Sequence, residues 1–407
     1  MMQHPLYYQM HIYQHSGKEM QALNAQIAEF TIDIPEADIE DLKRRLDLTR
    51  WPDQIPGTEW RYGAKTEYIR SLCDYWRNQY DWRKHEARLN RFPQFKTEIA
   101  GMDIHFVHVQ SKHADATPLL ISHGWPGSFV EFLHVIDPLV NPEAHGGTAD
   151  NAFHVVCPSL PGYGFSGTTT TEQFDTLAMG EAFVELMGRL GYSKYIAQGG
   201  DWGALITSNI GCIDAEHLYG IHLNMPFGFP TTADPNEGLS ASEIADLTTM
   251  AHFEQMETGY QKIQGTKPQT LGVGLNDSPA GLCAWITEKF HSWTDCDGDI
   301  ESVLDKDDLL TNISVYWFTQ SICSSTRLYY EVTQNPRLKF LEAPVTVPTG
   351  VARFPKELML FPRLWCDNVY SDIVQWNTFG KGGHFAAMER PVEFVDEIRS
   401  FATKVVR

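Results

Sequence analysis

Gly199-Gly200-Asp201-Trp202-Gly203 follows Lys194-Tyr195-Ile196-Ala197-Gln198, which reads as a strand. A G-x-Ser-x-G segment between strand and helix lifts a nucleophile above a sheet on a sharp turn. Here the central residue is Asp. A carboxylate does not cleave ordinary esters as serine does, but it attacks an electrophilic carbon, such as that of an epoxide, and forms an ester with it. The competing reading of Asp201 is a plain cap on the following helix.

Such a nucleophile needs a base to hydrolyse its ester. His384 lies in Gly380-Lys381-Gly382-Gly383-His384-Phe385, where glycines allow a tight loop. A neutral imidazole there can take a proton from water. An acidic partner for the ring is expected between Asp201 and His384 in chain order. Glu357, Asp367 and Asp372 all qualify, and residue chemistry alone does not separate them. His123-Gly124-Trp125-Pro126 supplies a turn after another apolar run. The backbone N–H groups of Trp125 and Trp202 could together hold one oxygen of Asp201 as it becomes negative. Pro126 has no N–H to offer. Both indoles would also wall the pocket. An epoxide oxygen further needs a donor as it leaves, and a phenol stays protonated at neutral pH. Tyr260, Tyr316, Tyr329 and Tyr330 are the candidates, and sequence physics does not choose among them.

These groups must be gathered by a sheet. Short apolar runs at 118–121, 153–157, 194–198 and 219–225 alternate with helical patterns, including 129–139, 174–190 and 203–210. That alternation predicts a mostly parallel sheet with helices on both faces. Residues 95–99 and 104–109 read as a hairpin. The stretch 30–34 reads as a short strand, 36–46 as a helix and 67–92 as a further helical stretch. Residues 227–338 are helix-rich, and strands resume at 345–347 and 374–376. The expected organisation is an N-terminal extension and meander (1–93), a core in two parts (94–226 and 339–407) and a helical cap inserted between them (227–338).

The chain has 407 residues and a formal net charge of −20, which disfavours nucleic acid and anionic membrane as partners. Seven scattered cysteines, without a C-x-x-C pair, argue against a disulfide framework or a zinc site. Asp295-Cys296-Asp297-Gly298-Asp299 lacks calcium-loop spacing and is expected to be a solvated acidic loop. The sequence shows no signal-peptide pattern or long apolar span, so a cytoplasmic protein is the default expectation. Homo-oligomer formation stays open.

The chain resembles the microsomal-type epoxide hydrolases over about residues 28 to 405. The likeness rests on Phe30 to Pro52, HGWPGS at 123–128, PGYGFS at 161–166, GGDWG at 199–203, GY with TKPQT at 259–270, SSTRLYY at 324–330, FPKEL at 354–358 and GGHFAAMERP at 382–391. It implies an α/β-hydrolase fold with a meander bracing the cap. It implies Asp201 as nucleophile, His384 as base, Glu357 rather than Asp367 as the acidic partner, and Tyr260 and Tyr329 as donors. Tyr330 adjoins Tyr329, so a one-residue slip stays open there. The backbones of Trp125 and Trp202 match the oxyanion hole. The implied partners are a small hydrophobic epoxide and water, with no metal or cofactor. The nearest rival is a haloalkane dehalogenase, which could use the same Asp–His pair; the two Tyr motifs favour epoxide opening. A non-enzymatic binding protein on the same scaffold is the rival of another class, and retention of both nucleophile and base speaks against it.

Overall fold

The computed structural model describes residues 27–406. The peripheral extension expected before residue 27 lies outside them. Nine strands form one sheet: β1 (Ala28–Phe30), β2 (Gln94–Ile99), β3 (Met102–Val109), β4 (Thr117–Ser122), β5 (Phe153–Pro158), β6 (Tyr195–Gly199), β7 (Leu218–Leu223), β8 (Thr349–Arg353) and β9 (Ile373–Thr378). Their order is β1-β2-β3-β5-β4-β6-β7-β8-β9. The pairs from β1 through β3 to β5 are antiparallel, and those from β5 to β9 are parallel. This is the mostly parallel sheet that the alternating runs predict, in the α/β-hydrolase fold that the resemblance implies. β5 and β6 are buried along their whole length, as parallel strands covered on both faces must be.

Several boundaries move for identifiable reasons. The strand expected at Val345-Thr346-Val347 forms instead at Thr349–Arg353, while Val345 makes only an isolated bridge to Tyr370. Pro348 has no N–H for a ladder, so pairing starts after it. β1 stops at Phe30, short of the expected 30–34. The N–H groups of Ile32 and Ile34 are taken by the side chains of Asn90 and Glu86 rather than by a neighbouring strand. The helical stretch at 67–92 divides into Thr66–Asn78 and Trp82–Leu89, because Asp81 accepts from the N–H groups of Arg83 and Lys84 and starts a new helix. The stretch at 129–139 divides into a 3-10 turn, Phe129–Phe132, and the helix Ile136–Val140. Pro138 cannot donate back to the preceding turn.

Between β7 and β8 the regular structure is helical, with its longest pieces at Ala241–Met256, Pro279–Trp293, Lys306–Thr319 and Ile322–Gln334. The N-terminal helices pack against this insertion. Trp76 Nε1 donates to Ser314 Oγ at 3.0 Å, and Tyr80 and Thr311 share a 2.9 Å hydroxyl contact. Asp308 joins three segments at once. It pairs with Arg88 of the N-terminal helices and with His134 of the core.

Candidate active site

The sharp turn after β6 sets Asp201 at φ +50° and ψ −129°, ahead of the helix Trp202–Ile213. A non-glycine residue with positive φ is strained, and such strain persists only where the surroundings fix it. The fixing is steric. A Cβ on Gly203 would lie 2.1 Å from Ser122 O, so β4 and the new helix touch backbone to backbone. A Cβ on Gly124 would lie 2.2 Å from Asp201 Oδ1. The loop after β4 therefore closes directly onto the carboxylate.

That closeness brings the Trp125 N–H to Asp201 Oδ1 at 2.8 Å. The Trp202 N–H, expected as a second donor to Asp201, opens its helix and makes no hydrogen bond to Asp201 in this geometry. On the other side, His384 Nε2 lies 3.4 Å from Asp201 Oδ2. His384 Nδ1 lies 2.6 Å from Glu357 Oε1. Of the three acids left open by residue chemistry, only Glu357 reaches the ring; Asp367 and Asp372 are exposed at the surface. Burial disfavours a charged imidazole, but Glu357 and Asp201 together outweigh it and hold His384 well above its ordinary value.

The loop bearing His384 is tied to the end of the helix Pro279–Trp293. The His384 N–H donates to Trp293 O at 2.9 Å, and the Gly382 N–H donates to Asp295 Oδ2 at 2.9 Å. Glu389 closes the arrangement by accepting from the N–H groups of Asp295, Gly383 and Phe385. Burial pushes the Glu389 carboxyl up to about 7 against those three donors. Asp295 is thus not the purely solvated residue expected of its loop, because its carboxylate faces the His384 turn; Asp297 and Asp299 are exposed. Sequence reading did not single out Glu389. Its one local signal is a carboxylate five residues past the histidine in a glycine-rich loop.

The insertion supplies two buried phenols. The Tyr260 ring stacks on Trp125 with centroids 5.4 Å apart, and the Tyr329 ring meets Trp202 edge-on at 4.6 Å. The two tyrosines lie 5.8 Å apart, centroid to centroid. Burial, first of all, raises both phenols above the ordinary value, and the Asp201 charge adds to it, so both remain protonated donors. Tyr330 points away and is 41% exposed. Tyr316 is committed elsewhere, donating to Gly127 O at 2.7 Å. Asp201, Tyr260 and Tyr329 all face a cavity of about 540 Å³ whose other walls include Leu205, Met225, Phe227, Phe253 and Phe361. A carboxylate and two phenols thus face one apolar chamber, and the supported imidazole, which does not line that chamber, reaches the same carboxylate.

Residues 27–132 match the family described as "Epoxide hydrolase N terminus", and residues 117–262 match the alpha/beta hydrolase fold. A putative epoxide hydrolase of Stigmatella aurantiaca is 46% identical over 373 residues, covering 92% of this chain and 84% of that protein. The chain belongs to the epoxide hydrolase family. Epoxide hydrolase 1 of Oryctolagus cuniculus is 38% identical over 412 residues, covering 94% of this chain and 90% of that protein. Among solved structures, the juvenile hormone epoxide hydrolase of Bombyx mori superposes with a TM-score of 0.87 at 34% identity, covering 93% of this chain and 94% of that one. The Aspergillus niger epoxide hydrolase gives 0.84 at 34% identity, with 93% and 96% covered. The Asp–His machinery of an epoxide hydrolase is therefore the frame in which the enzyme's site is understood. Among the described residues, no helix is long and apolar enough to cross a membrane, and no group of three or more His, Cys, Asp or Glu could hold a metal ion.

Proposed function

We propose that the enzyme converts a small apolar epoxide to its vicinal diol through an ester on Asp201. The observation behind this reading is the meeting of Asp201 with both Tyr260 and Tyr329 in one apolar cavity. Asp201 Oδ1 is already bound by the Trp125 amide, which leaves Oδ2 as the attacking oxygen. Oδ2 bonds to an epoxide carbon as the ring C–O bond breaks. The ring oxygen takes hydrogen bonds, and then a proton, from the phenols above it.

Ester formation consumes the Asp201 charge. His384 then loses one of its two anionic supports while burial still disfavours its charged form. Its proton affinity falls when a base is needed. Water adds to the Asp201 carbonyl carbon and gives a proton to His384, and the Trp125 N–H holds the resulting oxyanion. Collapse breaks the acyl–oxygen bond, the remaining proton of the added water passes to the departing alkoxide to release the diol and restore the carboxylate, and the proton held by His384 returns to the phenolate. Glu357 orients the ring and supports the imidazolium throughout. The cavity walls favour an alkyl or aryl epoxide of low polarity.

The test is a single turnover in water carrying labelled oxygen. The label should enter the Asp201 carboxylate first and appear in diol only on later turnovers. Direct appearance of label in the first diol would replace the covalent route with general-base attack on the epoxide.

A further inference from the structure

A second carboxyl lies beside this machinery. Glu131, in the 3-10 turn Phe129–Phe132, sits deep in the molecule yet keeps part of its surface uncovered. Glu131 lines a second cavity, of about 20 Å³, together with Asp201, His384, Ser122, Gln198 and Asn224 among others. That volume holds about one water molecule, and a stable internal water needs two to four polar partners. The partners are present. Ser122 Oγ and Gln198 Oε1 are both buried without a hydrogen-bond partner, although Ser122 and Gln198 are 0% and 1% exposed.

The chain makes room for Glu131 there. A Cβ on Gly127 would lie 1.5 Å from Glu131 Oε1, so the carboxyl occupies the space that any larger residue at 127 would fill. The histidine, Asp201 and this carboxyl thus line one water-sized site, whose remaining walls include Phe132, Phe385 and Phe394. The large apolar chamber also has Asp201 in its wall but shares neither His384 nor Glu131.

We propose that Glu131 is the water-holding residue of the hydrolytic half-reaction. The inference rests on the covalent reading above. One hydrogen of the enclosed water points to His384 Nε2, to which it is transferred. A Glu131 oxygen accepts the other hydrogen, which stays with the water oxygen. The water lone pair is thereby turned to the Asp201 carbonyl carbon. Burial pushes the Glu131 carboxyl up to about 8, and the carbonyl oxygen of its neutral form accepts a hydrogen as the ionised form does. The role therefore does not depend on which form is present near neutrality.

The test separates the two half-reactions by rapid quench with excess epoxide, following Asp201 ester and diol in wild type, E131Q and E131A. Ester formation should stay within about threefold of wild type in both variants. Ester hydrolysis should slow by about a hundredfold in E131A, the cost of a water misplaced by an ångström or so. E131Q, which keeps an acceptor oxygen, should be slowed less than E131A but by more than about threefold, and both should accumulate ester. E131Q is near-isosteric and carries the test alone if E131A does not fold. Hydrolysis at wild-type speed in E131Q, or equal losses in both half-reactions, would overturn the role. A wild type that forms no ester would instead overturn the covalent reading.

Discussion

Asp201 Oδ1 accepts from the Trp125 amide at 2.8 Å, although 76 positions of chain separate the two residues. This bond differentiates the two carboxylate oxygens before any substrate binds. One is held by backbone, and the other lies 3.4 Å from His384 Nε2. Substituting Asp201 should therefore remove the first chemical step rather than slow it. D201A is expected to lose diol formation by about a factor of ten thousand or more. Measuring diol from a panel of alkyl and aryl epoxides, with thermal unfolding as a control for folding, checks this. Residual turnover within a hundredfold of wild type would place the nucleophile elsewhere.

His384 acts after Asp201 in the proposed sequence. H384Q should still form the ester but hydrolyse it about a hundred- to ten-thousandfold more slowly. Mass spectrometry of the intact protein after mixing with epoxide should show close to one adduct per chain, on the peptide containing Asp201. An H384Q protein without any adduct would mean that the ring is needed for attack as well.

Tyr260 and Tyr329 flank the same position, so each partly covers for the other. Y260F and Y329F should each slow ester formation by about ten- to a hundredfold, the worth of one hydrogen bond to a developing charge. The double variant should fall further than either. Rapid-quench rates of ester formation give the answer. Y330F should behave as wild type, because Tyr330 is exposed. A defect in Y330F as large as that in Y329F would reverse the assignment.

The His384–Glu357 pair also gives stability a definite pH dependence. The His384 value is raised in the folded protein, burial being outweighed by the two carboxylates. Its contribution is fully present below the unfolded value of about 6.5 and is lost as pH rises through the raised folded value. E357Q removes the principal support. The stability gap between wild type and E357Q should be larger at pH 6 than at pH 10, as measured by denaturant unfolding at both. A gap that widens with pH would contradict the sign argued here.

The α/β-hydrolase fold was legible because its signals are local. The buried strands β4, β5 and β6 are short apolar runs, and the elbow, HGWPGS and GGHF segments lie at strand ends where a sheet would gather them. Boundaries were less legible wherever a distant partner decided them. β1 ends at Phe30 because Asn90 and Glu86 take the next free N–H groups, and neither residue carries any mark of that role in sequence. The same limit applied in the site. Asp295 reads as a solvated loop residue, and neither Glu131 nor Glu389 stands out, because the groups that give each its place include some from distant segments of the chain.

The sequence by itself determined the chemistry available. An Asp replaces Ser in a nucleophile elbow, a histidine sits in a glycine-rich loop, and tyrosines lie in a helical insertion. These are properties of residue type and short spacing. Only the tertiary structure decided which groups meet. It set Glu357 against His384 and turned Tyr329 inward while leaving Tyr330 exposed, contacts that residue chemistry left open and the family resemblance only implied. It also enclosed Glu131 with Asp201 and His384 around a space for one water. The physical reason is that hydrogen bonds and burial act over a few ångströms in space, and chain order alone does not specify which distant side chains come that close.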